Sequence, residues 1–297
     1  MKRRELRALL ILLITAAIWG FAFAAQREAS RFLQPFTFGA LRFFLGAAVL
    51  YPLSRKADQK MARSGISKSD FRSGALVGAV LFVASVLQQL GISTTSAGQA
   101  GFLSALYVVL VPVIGVAFKR KTSRATWISL LLSVPALYLL CMTDKGFKIS
   151  EGDAWVLVSA VFWALHILTT DRCVLHHDPM HLCVSQFLVC GALNLVCALI
   201  FEKVQPQALL QSFWPVMYVG VMSTAVAYTL QAVGQRDAKP AHAALIMSME
   251  SVFSVIGGAI FLSEKMSVRA YLGCALMFAA VVLSQLGASN TEDKAHV

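Results

Sequence analysis

The sequence predicts an all-α integral membrane protein with ten transmembrane helices, arranged as two inverted five-helix repeats with both termini in the cytoplasm. Three observations lead to this fold class: an apolar composition, ten apolar runs of spanning length, and a repeat of about 144 residues. Of the 297 residues, 58% are hydrophobic and only 14% are charged. A soluble domain is about 25% charged, so these charges are too few to cover a water-facing surface.

Apolar runs of about 20 residues are long enough to cross a bilayer as helices. Ten are predicted, at residues 6–25, 36–53, 73–91, 98–118, 125–142, 154–171, 181–200, 213–233, 240–262 and 268–287. The first run follows a basic segment and contains Ala22-Phe23-Ala24, which resembles a signal-peptide cleavage site. A retained helix is preferred over a cleaved signal peptide, because the run is long and the repeat includes it.

The basic residues set the orientation of the spans. The chain carries 26 Lys and Arg against 15 Asp and Glu, a net charge of +11. With the N-terminus in the cytoplasm, 18 of the 26 fall on cytoplasmic segments, 7 fall on outer segments, and Arg42 lies inside a span. Such a bias is typical of cytoplasmic loops. Because topology accounts for the positive charge, no nucleic-acid partner is expected.

The repeat is visible in aligned residues. Trp19 precedes Pro35 by 16 residues, and Trp163 precedes Pro179 by the same 16. Residues 1–147 are predicted to form the first repeat and residues 148–297 the second, within a single membrane domain. Because five helices are an odd number, the second copy enters the membrane inverted. Inverted repeats are a known transporter architecture, in which the halves exchange conformations around a midplane site.

Several short motifs resemble the drug/metabolite transporter superfamily, specifically its EamA-type ten-helix transporters. They are Ala16-Ala17-Ile18-Trp19-Gly20, Leu41-Arg42-Phe43-Phe44, Val111-Pro112-Val113, Met249-Glu250-Ser251-Val252, Gly257-Gly258 and Leu262-Ser263-Glu264. The resemblance covers the whole chain. It implies a carrier of the bacterial inner membrane, usually an exporter, for amino acids or other small metabolites.

Two charged residues within the spans are the first candidates for the transport site. Glu250 lies about ten residues into the ninth span, about 15 Å along the helix, where burial favours the protonated acid. We expect it to bind a coupling proton or a cationic substrate; the alternative is a structural hydrogen bond or an ion pair with Arg42. For Arg42, three alternatives remain open: snorkelling to the surface, pairing with Glu250, and binding a substrate carboxylate.

Aromatic and polar residues complete the candidate set. Trp19 and Trp163 correspond in the repeat and are predicted to be gates or cavity walls, with an interfacial position as the alternative. Tyr107 aligns with Glu250 at an offset of 143. The remaining candidates carry polar groups within spans, where interhelical hydrogen bonding is the alternative role: Ser104, Gln88, Tyr228, Gln231 and His166.

The predicted function is secondary active transport of a small amino acid or related amphipathic, aromatic or cationic solute, by alternating access. An exporter linked to protons is favoured; an uncoupled facilitator or channel is the alternative. A membrane-embedded enzyme is not favoured, because the HExxH, GxSxG and P-loop patterns are absent from the sequence.

No catalytic residue, metal or cofactor is predicted. The expected partners are the substrate, the lipid bilayer and protons, for a monomer or weak homodimer.

Overall fold

The computed structural model describes residues 3–117, 124–141, 150–203, 206–263, 267–269, 271–273, 275–280 and 283, and every regular element in these ranges is helical. The elements are α1 (Arg3–Ala29), α2 (Pro35–Lys60), α3 (Lys68–Ile92), α4 (Ala97–Ala105), α5 (Tyr107–Ala117), α6 (Arg124–Cys141), α7 (Glu151–Val174), α8 (Pro179–Phe201), α9 (Pro206–Gln211), α10 (Phe213–Met217), a π-helical segment (Tyr218–Ala227), α11 (Tyr228–Asp237), α12 (Pro240–Met247) and α13 (Glu250–Phe261).

Eight helices are long and apolar enough to cross a membrane. They are Arg4–Ala29, Pro35–Lys60, Lys68–Ile92, Ala97–Val116, Glu151–Val174, Pro179–Phe201, Phe213–Asp237 and Pro240–Phe261. The predicted fifth span coincides with α6, whose apolar part, Trp127–Ala136, is shorter. The predicted tenth span overlaps helical residues 271–273 and 275–280. The count of ten spans and the cytoplasmic termini therefore stay predictions, and the repeat boundary at 147/148 lies outside the described residues.

Helix starts follow local signals in the sequence. α3 and α7 begin with capping boxes, in which Ser67 pairs with Asp70 and Ser150 pairs with Asp153. In a capping box, two backbone N–H groups that the helix leaves free are bonded by side chains. α2, α8 and α12 each have a proline in the first turn, where the missing N–H is not needed. These signals explain where the corresponding spans begin.

The helices α2 and α8, which correspond in the predicted repeat, run antiparallel. At one end, the Thr37 hydroxyl donates to Glu202 Oε2 over 2.6 Å, directly after α8 ends. At the other end, His181 Nε2 lies 2.9 Å from Asp58 Oδ1. An inverted repeat requires corresponding helices to run in opposite directions. This pair meets the requirement, while the inversion of the complete halves stays a prediction.

Packing between the halves is reciprocal. α1 packs against the π-helical segment and against α11, α12 and α13. α7 packs in the same way against α3, α4 and α5. The first helix of each half thus contacts the third and fourth spans of the other half. The space enclosed by these contacts lies between the two halves, and it contains the candidate site.

α3 and α8 approach closely at two glycines. Gly74 faces Ser185, and a Cβ atom at Gly78 would lie 2.7 Å from the Gln186 carbonyl oxygen. Small residues spaced in this way allow membrane helices to pack tightly. The motif Gly74-x-x-x-Gly78 therefore packs helices within one chain.

Candidate functional site

A small cavity lies between the two halves. It is lined by Trp19, Phe23, Gln26, Arg42, Gln88, Tyr107, Trp163, Ile167, Ser223, Tyr228, Gln231 and Glu250. Eight of the ten residues predicted from the sequence are among these twelve; Ser104 and His166 are not. The cavity volume is about 30 Å³, which is enough for about two water molecules. A solute as large as an amino acid requires the walls to move apart.

Tyr107 and Glu250 each lie directly after an interruption in a span. α4 gives way to α5 at Tyr107, and α12 gives way to α13 at Glu250. At the second interruption the backbone takes a tighter turn, with the Val252 N–H donating to the Met249 carbonyl over 3.0 Å. The Tyr107 hydroxyl faces the Glu250 carboxyl and interacts with it, in line with the interhelical hydrogen bond that is the alternative role of Glu250. Interrupted helices of this kind are typical of transporter binding sites.

Arg42 is held inside the protein by an amide and two aromatic rings. Its side chain is buried, with the residue only 3% exposed, which contradicts the snorkelling alternative. Its NH1 group donates to Gln26 Oε1 over 3.0 Å, and its guanidinium lies 4.6 Å from the Phe43 ring centroid. The ion pairs of the described residues do not include Arg42 with Glu250, although both line the cavity. A substrate carboxylate stays a candidate partner.

The aromatic wall of the cavity is built around Tyr228. Trp19 meets the Tyr228 ring edge-on at 4.9 Å, and Trp163 stacks with it at 6.4 Å. The Trp19 indole donates to the Ser223 carbonyl over 3.1 Å, whereas the Trp163 indole N–H has no partner among the described residues. Both tryptophans line the cavity and neither lies at a helix end, which contradicts the interfacial alternative.

The remaining polar candidates divide between the cavity and the layer behind it. Gln88 lines the cavity and donates to Ser104 Oγ over 2.9 Å, so Ser104 acts as an interhelical partner. His166 lies behind Trp163 and Tyr228, with its Nε2 3.1 Å from Gln186 Oε1. Gln231 is buried and lines the cavity.

Four pairs of lining residues correspond in the repeat. They are Trp19 with Trp163 and Phe23 with Ile167, at an offset of 144, and Gln88 with Gln231 and Tyr107 with Glu250, at an offset of 143. Two-thirds of the lining therefore comes from equivalent positions in the two halves. The two side chains differ most in the pair of Tyr107 and Glu250, where one half carries a phenol and the other a carboxylic acid.

Four lining residues were not predicted: Phe23, Gln26, Ile167 and Ser223. Phe23 and Gln26 follow Trp19 by four and seven residues, so they share its helix face. That spacing was a usable signal, and the repeat then places Ile167 opposite Phe23. Ser223 carries no comparable signal; its backbone carbonyl, in the π-helical segment, accepts the Trp19 indole N–H.

The free polar groups of the cavity define what it can bind. The Arg42 Nε and the Trp163 Nε1 are buried donors without a partner among the described residues. Glu250 supplies a carboxyl group to the same space. Buried donors normally require partners. The cavity is therefore suited to a small solute with hydrogen-bond acceptors and one cationic group. Among the described residues, no group of three or more His, Cys, Asp or Glu side chains could hold a metal ion.

Comparison with known proteins decides the family. The sequence profile of the EamA-like transporter family matches residues 6–142 and again residues 150–286. The chain belongs to the EamA-like transporter family. The two matched ranges begin 144 residues apart, the offset of the repeat in the sequence. This family lies within the drug/metabolite transporter superfamily, so the resemblance found in the motifs is confirmed.

Individual relatives are also transporters. An uncharacterized transporter of Archaeoglobus fulgidus is 27% identical over 284 residues, covering 95% of this chain and 87% of the relative. The threonine/homoserine exporter RhtA of Salmonella typhimurium is 25% identical over 177 residues, 57% of each chain. A solved crystal structure with 19% identity aligns with a TM-score of 0.78, covering 96% of this chain and 99% of the other. The chain is thus a multi-pass membrane transporter for a small molecule, with the fold of that crystal structure.

Proposed function

We propose that this EamA-family transporter exports a small amino acid or a related zwitterionic solute by alternating access, with the central cavity as its binding site. The observation that supports the proposal is the cavity lining, which combines a buried guanidinium, a carboxyl group and an aromatic wall between two repeat-related halves. RhtA, a partial relative, is named as an exporter of threonine and homoserine. These amino acids carry one carboxylate and one ammonium group, which match the two charged lining residues.

The proposed recognition assigns opposite groups to the two charged residues. The Arg42 guanidinium bonds the substrate carboxylate, because its planar fork matches that group and Gln26 already fixes one nitrogen. The Glu250 carboxylate bonds the substrate ammonium. Trp19, Trp163 and Tyr228 exclude water around the side chain of the solute. The cavity of about 30 Å³ represents a contracted state, so binding requires it to widen.

The same arrangement provides a route for proton coupling. Glu250 is the buried carboxyl group of the cavity, and a proton and a substrate ammonium are alternative partners for it. Competition between them on the two sides of the membrane would exchange protons for substrate. We place the protein in the cytoplasmic (inner) membrane, with the Lys- and Arg-rich loops facing the cytoplasm, as a monomer or weak homodimer.

Counterflow in proteoliposomes tests the function. The vesicles hold the purified protein and unlabelled threonine or homoserine, and the uptake of the labelled amino acid is followed. A carrier accelerates uptake through exchange, whereas a passive channel does not. Absence of accelerated uptake for both amino acids would contradict the proposed substrate class, and saturable uptake without acceleration would favour a facilitator.

Matched variants test the assigned residues. R42Q is expected to lower substrate affinity by about tenfold to a hundredfold, the effect of a lost charged hydrogen-bond pair of about 1.5–3 kcal/mol. E250Q is expected to remove the response to a pH gradient. The controls are R31Q and E28Q, because Arg31 and Glu28 form an exposed ion pair at the end of α1. If E250Q keeps the full pH-gradient response, Glu250 is not the coupling site.

A further inference from the structure

A second polar cluster shares no residue with the cavity lining and lies at the end of the α2–α8 pair next to the basic α2–α3 loop. We call it the His181 cluster: Asp58, Asp70, His177, His181 and Ser73. His181 Nε2 lies 2.9 Å from Asp58 Oδ1, and His181 Nδ1 lies 3.2 Å from Asp70 Oδ2. His177 Nδ1 lies 2.7 Å from Asp70 Oδ1, and its Nε2 lies 2.9 Å from Ser73 Oγ. The cluster joins α2 and α3 of the first half to α8 of the second.

The hydrogen bonds of His181 require a proton on each side of its ring. Both of its ring nitrogens face carboxylate oxygens, which only accept hydrogen bonds when ionised. Asp70 also accepts the backbone N–H and the hydroxyl of Ser67, as expected of a carboxylate. The two contacts together need two protons, and a neutral imidazole supplies one. Both contacts are therefore complete only when the cluster holds one additional proton.

The His181–Asp58 contact is buried, and the other charged groups at this end lie around it. His181 and Asp58 are buried, with side chains 6% and 4% exposed. Nearby, Arg63 pairs with Asp178 over 2.7 Å, outside the His181 contacts. Asp171 of α7 is buried and has a polar partner. Arg55 of α2 is exposed, and its guanidinium lies beside the Asp58 carboxylate next to Gly65. Other charged side chains near this end are also exposed, among them Arg72 of α3 and Arg236 and Asp237 of α11.

The opposite end of the α2–α8 pair carries an equivalent contact without histidine. We call it the Glu202 cap: the Glu202 carboxylate accepts the backbone N–H groups of Phe36 and Thr37, over 2.8 and 2.7 Å, and the Thr37 hydroxyl, over 2.6 Å. Asp58 and Glu202 are 144 residues apart, and so are Thr37 and His181. The two contacts are thus the same carboxylate–donor pair in the two halves.

The two equivalent contacts differ in one chemical property. In the Glu202 cap the donors are a hydroxyl and backbone amides, which keep their protons throughout the physiological pH range. In the His181 cluster both contacts involve ring nitrogens of histidine, the side chain that is best suited to gain or lose a proton near neutral pH. A hydrogen bond between an imidazolium and a carboxylate is stronger than one between neutral groups.

We propose that the His181 cluster is a proton-dependent latch that closes one end of the transporter, while the Glu202 cap holds the other end independently of pH. With His181 protonated, α2, α3 and α8 are held together at the predicted cytoplasmic face. Loss of one ring proton leaves Asp58 or Asp70 facing a nitrogen that cannot donate, so this end opens. The latch is closed at low pH and is released as the pH rises. It needs neither a substrate nor Glu250 to operate.

Hydrogen–deuterium exchange of the full-length protein in nanodiscs tests the latch, since exchange reports local opening. Protection is measured at about pH 6 and about pH 8 and corrected for the intrinsic exchange rates. In the unmodified protein, protection around Asp58, Asp70 and His181 is expected to fall roughly tenfold at the higher pH. Protection around Thr37 should change by less than about twofold, since its bonds do not titrate.

Three variants make the result specific. In H181Q, protection around Asp58 and Asp70 should be low at both pH values. H176Q is the matched control, because His176 is exposed and lies on the same loop; it should behave like the unmodified protein. T37H introduces an ionisable donor opposite Glu202 and should create pH dependence at that end. The proposal is overturned if the His181 end of the unmodified protein shows no pH dependence, or if H181Q retains it.

Discussion

Gln26 orients Arg42, and removing its amide is expected to destabilise the protein measurably. Gln26 is buried, and its Oε1 accepts the hydrogen bond from Arg42 NH1 over 3.0 Å. The Arg42 Nε already lacks a partner among the described residues. In Q26L, a buried guanidinium would lose a further bond while its charge stays in place. A leucine of similar size fills the volume, so the loss is mainly electrostatic.

The expected magnitude follows from the type of bond. A hydrogen bond to a charged group contributes about 1.5–3 kcal/mol, against about 0.5–1.5 kcal/mol for a neutral pair. Each kcal/mol shifts the melting temperature of a chain of this size class by roughly 2–4 °C. Q26L should therefore lower the Tm, followed by intrinsic fluorescence in detergent, by roughly 3–12 °C. The control is Q235L, because Gln235 is equally buried and donates to the neutral Ile167 carbonyl over 3.1 Å.

A double-mutant cycle decides whether the effect passes through Arg42. R42M removes the charge and retains an apolar chain of similar length, so Q26L in that background should cost less than about 0.5 kcal/mol, the size of an ordinary surface change. The difference between the two backgrounds is the coupling energy of the pair. If Q26L destabilises both backgrounds equally, or no more than Q235L does, the reasoning about the buried charge is refuted.

Two further predictions concern packing around the cavity. W19F should cost about 0.5–1.5 kcal/mol more stability than W163F, because Trp19 Nε1 bonds the Ser223 carbonyl and Trp163 Nε1 bonds nothing among the described residues; equal Tm values would contradict this. G78L should lower the free energy of unfolding by about 1–3 kcal/mol, because the larger side chain overpacks against the α8 backbone. The control A79L changes an exposed neighbouring position and should leave the Tm and the monodisperse fraction almost unchanged. Similar losses in both variants would place the effect outside the α3–α8 contact.

Much of the candidate site was accessible from the sequence because the bilayer makes polar residues conspicuous. Glu250 and Arg42 stand out as charges within apolar runs, and the offset that pairs Trp19 with Trp163 also pairs Tyr107 with Glu250. All five line the cavity. His166 is likewise a polar residue within an apolar run, but its side chain contacts Gln186 behind the cavity wall. Sequence position alone does not tell which side of a fully buried helix faces a cavity.

The contacts of the His181 cluster, in contrast, could not be predicted from the sequence. Asp58, Asp70 and His181 lie near predicted loops, where polar residues are ordinary, so nothing in the sequence marks them as partners. Their contacts span more than 100 residues along the chain. Asp58 corresponds to Glu202 in the repeat, and Thr37 corresponds to His181. Only the structure shows that Thr37 contacts Glu202 and that Asp58 contacts His181.

The amino-acid sequence was sufficient for the membrane environment, the family and the repeat, because hydrophobicity, charge bias and motif spacing are properties of the chain as written. It also located most of the spans, since a helix must bond its own backbone within lipid. The tertiary structure decided which groups meet: Gln26 with Arg42, Trp19 with a carbonyl of the π-helical segment, and His181 with two carboxylates. These contacts depend on the rotation and depth of each helix, which are set by packing against its neighbours.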